Sequence, residues 1–281
     1  MPVAHNPVLR GFYPDPSILR VGDDYYIATS TFEWFPGVQV AHSRDLINWR
    51  TAAYPLTRYS QLDLRGCPNS GGVWAPCLSY SNGLFYLIYT ISRRWAGSFK
   101  DVHNYLVTAE GGTFTTHAAT VARAQNITGP YEVMPNNPLI SSNQNPQLRL
   151  QSAGHGSFVQ NADGSWLLAH LCRRRLASGR SILGRETSLQ PIVWQDGWPR
   201  LASGSQEPAD EVQVPDLPPH PWPKAPERET FDTDKLPIHW MSPRVRIDDI
   251  SSLSARKGYL RLFGRESITS LFEQSLIARR Q

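Results

Sequence analysis

An all-β fold assembled from repeated hairpins is what this sequence predicts, on three observations. First, runs rich in aromatic and branched residues flank a tight glycine-containing turn three times: SILRV before Gly22-Asp23 and YYIAT soon after, LSYS and LFYLIYT around Asn82-Gly83, SFVQ and SWLLAHL around Asp163-Gly164. Such turn dipeptides between β-forming runs are strong hairpin signals. Second, a similar start opens each hairpin: Asp15-Pro16-Ser17-Ile18, Ala75-Pro76-Cys77-Leu78 and His155-Gly156-Ser157-Phe158. Third, helical periodicity is scarce along the chain. Hairpins repeating at long spacing point to a β-propeller, whose units must stack because each leaves an apolar face open. A β-sandwich with chance-alike hairpins is the competing architecture.

In a propeller the innermost strands run along a central channel, so Asp15, Trp74-Ala75 and His155 would converge at one end of it. The first unit continues into TFEWFPG, a loop dense in aromatics beside Asp15, and then into VQVAHSRDLINW. From Gln206 to Glu227 the chain turns proline-rich, which reads as an extended connector that makes no ladders. After it come TFDTDKLPIHW and a short β-like tail, KGYLRLFG and SLIARRQ. About fifty residues are few for an independent β-domain. The predicted organisation is therefore residues 1–206 as an incomplete propeller, 207–228 as linker and 229–281 as the start of a further β-domain.

Composition narrows the function classes. The 281 residues are 40% hydrophobic and 11% aromatic, enough for a packed core. Nine Trp and eleven Tyr suit a core and also the flat platforms of sugar-binding clefts. The formal charge of +4 is spread along the chain and argues against a nucleic-acid partner. The one dense run, Arg173-Arg174-Arg175, reads most simply as a solvated loop. Cys67, Cys77 and Cys172 follow no disulfide or zinc spacing, so no metal site is predicted from them. MPVAHNPVLRG has no signal-peptide core and no run has membrane-span length. The expectation is a soluble, cytoplasmic protein without a membrane partner.

Five stretches together resemble the β-xylosidases of glycoside hydrolase family 43: NPVLRGFYPDPSILRVGDDYYIATSTFEWFPGVQVAHSRDLINW, GGVWAPCLSY, AEGGTFTTHAATVARAQNITGPYEV, GHGSFVQNADGSWLLAHL and LGRETSLQPIVWQDGWPRL. They span most of residues 6–202 and are specific as a set. The region from Glu229 resembles the start of the β-sandwich that follows the propeller in these enzymes, which implies a C-terminally truncated sandwich.

The resemblance implies a five-bladed propeller with its active site at one end of the axis. It implies release of terminal xylose from xylo-oligosaccharides by inversion, and α-L-arabinofuranosidase activity on arabinosyl substrates. Asp15 matches the general base, Phe32 and Trp74 match walls of the terminal-sugar pocket, and Thr113, His155 and Arg185 match its polar lining. Inversion needs a base carboxylate holding a water and an acid on the other side of the sugar, about 6.5–9.5 Å away. No cofactor is required. A structural calcium ion beside His155 is implied by some relatives, although a lone His is as readily a hydrogen-bonded core residue. Assembly as a homo-oligomer is left open.

The sequence departs from the family in three ways. It lacks the Asp-Pro-Ser-like start that carries the Asp tuning the acid, and the Glu-Gly-Pro-His-like start that carries the general acid. It passes from DVHNYLVTA directly to AEGGT, and these flanks in the family share a Tyr-Leu-Val/Leu-Thr-Ala pattern, so about three blade starts remain. Cys77 stands where the family usually has His. Glu110 is the carboxylate nearest the missing acid in sequence, Glu33 sits in the aromatic loop, and Glu186 is expected to pair with Arg185. The alternative to a xylosidase is a catalytically inactive remnant, or a propeller that binds sugar.

Overall fold

A computed structural model of the chain describes residues 1–94, 101–102, 117–126 and 128–279. It is β throughout apart from one short helix, Ile247–Ile250, and no helix is long and apolar enough to cross a membrane among the described residues. Three antiparallel meanders carry the fold. The first sheet is Ser17–Val21, Asp24–Thr29, Gln39–Ser43 and Arg50–Ala53 in chain order. The second is Gly72–Ser81, Leu84–Arg94 and Asp101–Val102. The third is Leu150–Gln160, Trp166–Arg174, Glu186–Gln195 and Trp198–Leu201. Two ribbons, Ala118–Ala119 with Ile140–Ser141 and Ala122–Arg123 with Glu132–Val133, lie beside the third sheet.

The turns sit where the sequence places them. Val21 pairs with Asp24 across Gly22-Asp23, and Ser81 pairs with Leu84 across Asn82-Gly83. Asn82 and Gly83 both have positive φ, 52° and 79°, as a two-residue hairpin turn of type I′ demands. The three starts also share a backbone shape: Asp15, Ala75 and His155 have φ of 55°, 35° and 48°. A hydroxyl two residues beyond a start joins one sheet to the next. The Ile18 amide donates to Ser157 Oγ at 3.2 Å, and the Leu78 amide donates to Ser17 Oγ at 3.1 Å. This one joint, used twice, sets the order third–first–second around an arc of propeller type.

Strand alternation supplies the glue. Ile18, Tyr25, Ile27 and Ala41 of the first sheet pack on Val159, Leu167, Ala169 and Leu189 of the third. Ala28, Val38, Leu62, Leu64, Val73 and Leu78 fill the space between first and second sheets. Leu168 and Ile192, on the other face of the third sheet, pack on Met134, Leu139 and Ile140. The outer face of the second sheet differs: Leu84, Tyr86 and Ile88 are 60%, 46% and 72% exposed, on the same side as exposed Cys77. A closed ring would cover this face with another sheet.

Two expectations need correction. The proline-rich stretch does make a ladder: Glu211–Gln213, free of proline, pairs with Val3–His5. Farther on, the stretch is strapped to the first sheet, with the His220 amide on Asp45 Oδ2 at 2.7 Å and Arg50 stacked 3.7 Å from the Trp222 ring. The Arg173–Arg175 run is no solvated loop, since Arg173 and Arg174 end the strand Trp166–Arg174 and are half-buried. The C-terminal region also borrows a strand, which contradicts no expectation: Trp240–Pro243 lies between Ala278–Arg279 and Trp34–Phe35 of the aromatic loop.

Candidate functional site

The segment carrying Asp15 is sewn to its surroundings by backbone bonds. The Tyr13 amide donates to the Arg185 carbonyl at 2.8 Å and the Ser30 amide to the Pro14 carbonyl at 3.0 Å. The Thr187 hydroxyl donates to the Tyr13 carbonyl at 2.7 Å, and the Gly11 amide donates to Glu186 Oε1 at 2.6 Å. Asp15 therefore keeps a left-handed backbone although it precedes Pro16, a position that favours extended geometry. Such strain costs on the order of 1–3 kcal/mol and persists where the surroundings over-determine it.

The Asp15 side chain is buried, and its two oxygens have different partners. Ser30 Oγ donates to Oδ2 at 2.7 Å and in turn accepts the Ala75 amide at 2.7 Å. Arg185 Nη1 approaches Oδ1 at 3.3 Å. Ser30 thus couples the carboxylate of the first start to the backbone of the second. The guanidinium of Arg185 lies 5.7 Å from the Phe32 ring centre, which is 5.5 Å from Phe12 and 6.4 Å, edge to face, from Trp74. Phe32 is fixed by a reciprocal backbone pair with Val73, 2.9 Å each way. Trp74 donates from Nε1 to the Ser70 carbonyl at 2.9 Å, and the Ser70 amide donates to Glu33 Oε2 at 3.0 Å. The structure thus brings together Asp15, Arg185, Phe32 and Trp74. Thr113 and Glu110 lie outside the described residues.

His155 is half-buried at the start of the third unit, beside His117. His117 feels the charges of His155, Arg185 and Asp15 and shares a 3.1 Å contact with the Ser152 carbonyl. Burial holds its imidazole below the ordinary histidine range, against the opposing pull of the Ser152 bond, and His155 and Arg185 add to the lowering. Sequence reasoning missed His117. The only signal was its place in the TFTTHAAT stretch. It also missed Ser30, although Thr29-Ser30-Thr31, three consecutive fully buried hydroxyls, mark a polar joint.

Calcium takes six to eight oxygen ligands. The groups gathered around His117 and His155 offer ring nitrogens, a guanidinium and one carboxylate, and no set of three or more His, Cys, Asp or Glu side chains suited to a metal is found among the described residues. Glu186 differs from expectation. It is fully buried and pairs with Arg174 rather than Arg185, through Nε–Oε2 at 2.7 Å and Nη2–Oε1 at 2.8 Å. Adjacent residues at a strand's start point to opposite sides, so Arg185 turns to Asp15 and Glu186 away from it.

Comparisons with known proteins converge. The model of glycosyl hydrolases family 43 matches residues 4–104 and 98–199, and that of the β-xylosidase C-terminal concanavalin A-like domain matches 228–281. A β-xylosidase of Bacillus subtilis is 39% identical over 380 residues, spanning 98% of this chain and 71% of the relative. A non-reducing end α-L-arabinofuranosidase of Bacteroides ovatus is 32% identical, spanning 98% of this chain and 68% of the relative. The crystal structure of a xylan β-1,4-xylosidase from Bacillus halodurans superposes with a TM-score of 0.92 at 42% identity, covering 99% of this chain and 72% of that one. An alignment of 380 positions exceeds the 281 residues present, so a long stretch of the B. subtilis relative lies opposite no residue here. The family match correspondingly falls in two pieces.

Proposed function

Because this chain belongs to glycoside hydrolase family 43, we propose that its site acts on terminal xylose, or a terminal arabinosyl unit, of small oligosaccharides, with Asp15 as the base of an inverting hydrolysis. The observation that carries this reading is the buried Asp15 carboxylate, oriented by Ser30 and Arg185 beside the rings of Phe32 and Trp74. In this mechanism Asp15 takes a proton from a water as that water attacks the anomeric carbon. Arg185 and Ser30 hold the carboxylate so that one lone pair faces the water. Phe32 and Trp74 form the apolar wall of the sugar pocket, and His155 contributes polar lining. The three free thiols, two of them buried, suit a reducing compartment, and we assign the protein to the cytoplasm.

The other half of the chemistry is protonation of the leaving oxygen. The sequence lacks the start that carries this acid, and Glu186 is committed to Arg174. Without an acid, the rate depends on how well the leaving group departs unaided. A dinitrophenolate leaves as an anion, whereas a sugar alkoxide must be protonated. Activated aryl β-xylosides are therefore turned over, while xylobiose is slower by on the order of 10²–10⁴ beyond its ordinary disadvantage. The test compares 2,4-dinitrophenyl β-xyloside with xylobiose and follows the first-formed anomer by NMR. Release of α-xylose from the activated substrate supports the reading. Release of β-xylose, or no turnover of the activated substrate, refutes it.

The missing acid start also favours a second reading, a sugar-binding remnant. Calorimetry with xylobiose distinguishes the two, since binding with no turnover of either substrate belongs to the remnant.

A further inference from the structure

The C-terminal region reaches the candidate site through one buried arginine. Just past the strand Trp240–Pro243 the chain turns sharply. The Ser242 hydroxyl donates to the Val245 carbonyl, and the Val245 amide donates to the Pro243 carbonyl at 2.8 Å. At the corner, Arg244 has φ 64° and is 1% exposed. Its amide donates to the Glu33 carbonyl at 2.7 Å. A left-handed backbone is costly for a residue with a side chain and persists where its surroundings over-determine it.

The guanidinium of Arg244 grips the loop that leads to Trp74. Nε donates to the Cys67 carbonyl at 2.6 Å, and Nη2 donates to Asn69 Oδ1 at 2.5 Å. Residues 68–71 form a tight turn, closed by the Gly71 amide on the Pro68 carbonyl at 2.9 Å, with Asn69 and Ser70 at its corners. Arg244 therefore holds the turn at its entry and at its first corner. Glu33 holds the second corner, where its Oε2 accepts the Ser70 amide. The Ser70 carbonyl in turn accepts Nε1 of Trp74. Burial pulls the guanidinium of Arg244 below its ordinary range, and the charge of Glu33 opposes that pull. Because the guanidinium nitrogens are coplanar and rigid, two bonds from them fix two acceptors relative to each other.

We infer that Arg244 is a positioning residue for the sugar pocket: by fixing the turn of residues 68–71 it sets where the Trp74 ring stands, so the C-terminal region acts on sugar binding through that ring. The inference rests on the reading above that Trp74 walls the pocket. Asp15 has its own anchors in Ser30 and Arg185, so changing Arg244 moves the wall and spares the base.

The experiment compares wild type with Arg244→Lys and Arg244→Met, each alone and in a Trp74→Ala background. Thermal melts check folding. Arg244→Lys keeps the buried cation and carries the test if Arg244→Met does not fold. The indole N–H resonance of Trp74, identified as the one lost in Trp74→Ala, reports the place of the ring by NMR. Kinetics on 2,4-dinitrophenyl β-xyloside report its effect on the sugar. The Trp74 resonance should shift, and KM should rise at least about fivefold in Arg244→Lys and further in Arg244→Met, with kcat within about twofold of wild type. A merely structural loss lowers the active fraction, which reduces kcat and leaves KM unchanged. In the Trp74→Ala background the same substitutions should change KM by less than about twofold, because the ring they act through is gone. An unmoved indole resonance, an unchanged KM, or a KM effect that persists in full without Trp74 overturns the inference. A shifted resonance in a protein that turns over no substrate supports the positioning and counts against the hydrolase reading alone.

Discussion

Replacing Arg174 tests whether the clamp behind the candidate site is as consequential as its geometry implies. Glu186 is fully buried and accepts three bonds, two from Arg174 and one from the Gly11 amide. Arg174→Met removes the cation and leaves a buried carboxylate with one neutral donor. Breaking a buried pair in this way costs about 3–5 kcal/mol. Arg174→Lys keeps the charge but loses the two-pronged fit, and about 1–2 kcal/mol is expected. The double variant Arg174→Met/Glu186→Met removes both charges together and should recover most of the loss, because paired apolar replacement is often close to neutral. Urea denaturation of the four proteins gives the free energies and their coupling. If Arg174→Met lies within about 1 kcal/mol of wild type, the pair behaves like a solvated surface bridge and the clamp argument fails.

Three further outcomes are expected. In Asp45, burial pushes the carboxyl pKa up, but bonds from the Asn48 side chain and from the amides of Asn48, His220 and Ile47 prevail and hold it below the ordinary value. The unfolded chain therefore binds that proton more readily. The contribution is complete above the unfolded value of about 3.9 and fades as pH falls below it. Hence the stability gap between wild type and Asp45→Ala should narrow from pH 6 to pH 2, and a constant gap contradicts the assignment. Gly72→Ala would put a Cβ 2.3 Å from the Phe32 carbonyl oxygen at φ 83°, so urea denaturation should show a loss above about 2 kcal/mol. Ser30→Ala strips one donor from Asp15 and one acceptor from the Ala75 amide. It should cost about 1–3 kcal/mol and lower kcat on the activated xyloside by about 10- to 100-fold, whereas unchanged kcat would show that Ser30 does not position the carboxylate.

What the sequence revealed was mostly local. The turns at Gly22-Asp23, Asn82-Gly83 and Asp163-Gly164 depend on residues that tolerate positive φ, and that requirement is written in the residue type. The three starts could be aligned because each needs the same left-handed opening and two of them need the same serine two places on. Asp15, Phe32, Trp74 and Arg185 were assembled through the family resemblance, which carries long-range information that a single sequence does not. Pairings across the fold stayed hidden. Arg185 and Glu186 are neighbours in the chain, yet strand alternation sends them to different partners. The strap from His220 to Trp222 depends on Asp45 and Arg50, far earlier in the chain. The strand Trp34–Phe35, which serves the C-terminal region, looks in sequence like loop.

Asp15 is proposed as the base of an inverting hydrolysis, in a sequence without the start that carries the family's acid. The decisive comparison is kcat/KM for 2,4-dinitrophenyl β-xyloside with wild type and with Asp15→Asn, which preserves the shape of the side chain and removes its basicity. Measurable wild-type turnover is expected, falling by on the order of 10²–10⁴ in the variant. Equal rates in the two proteins would contradict it.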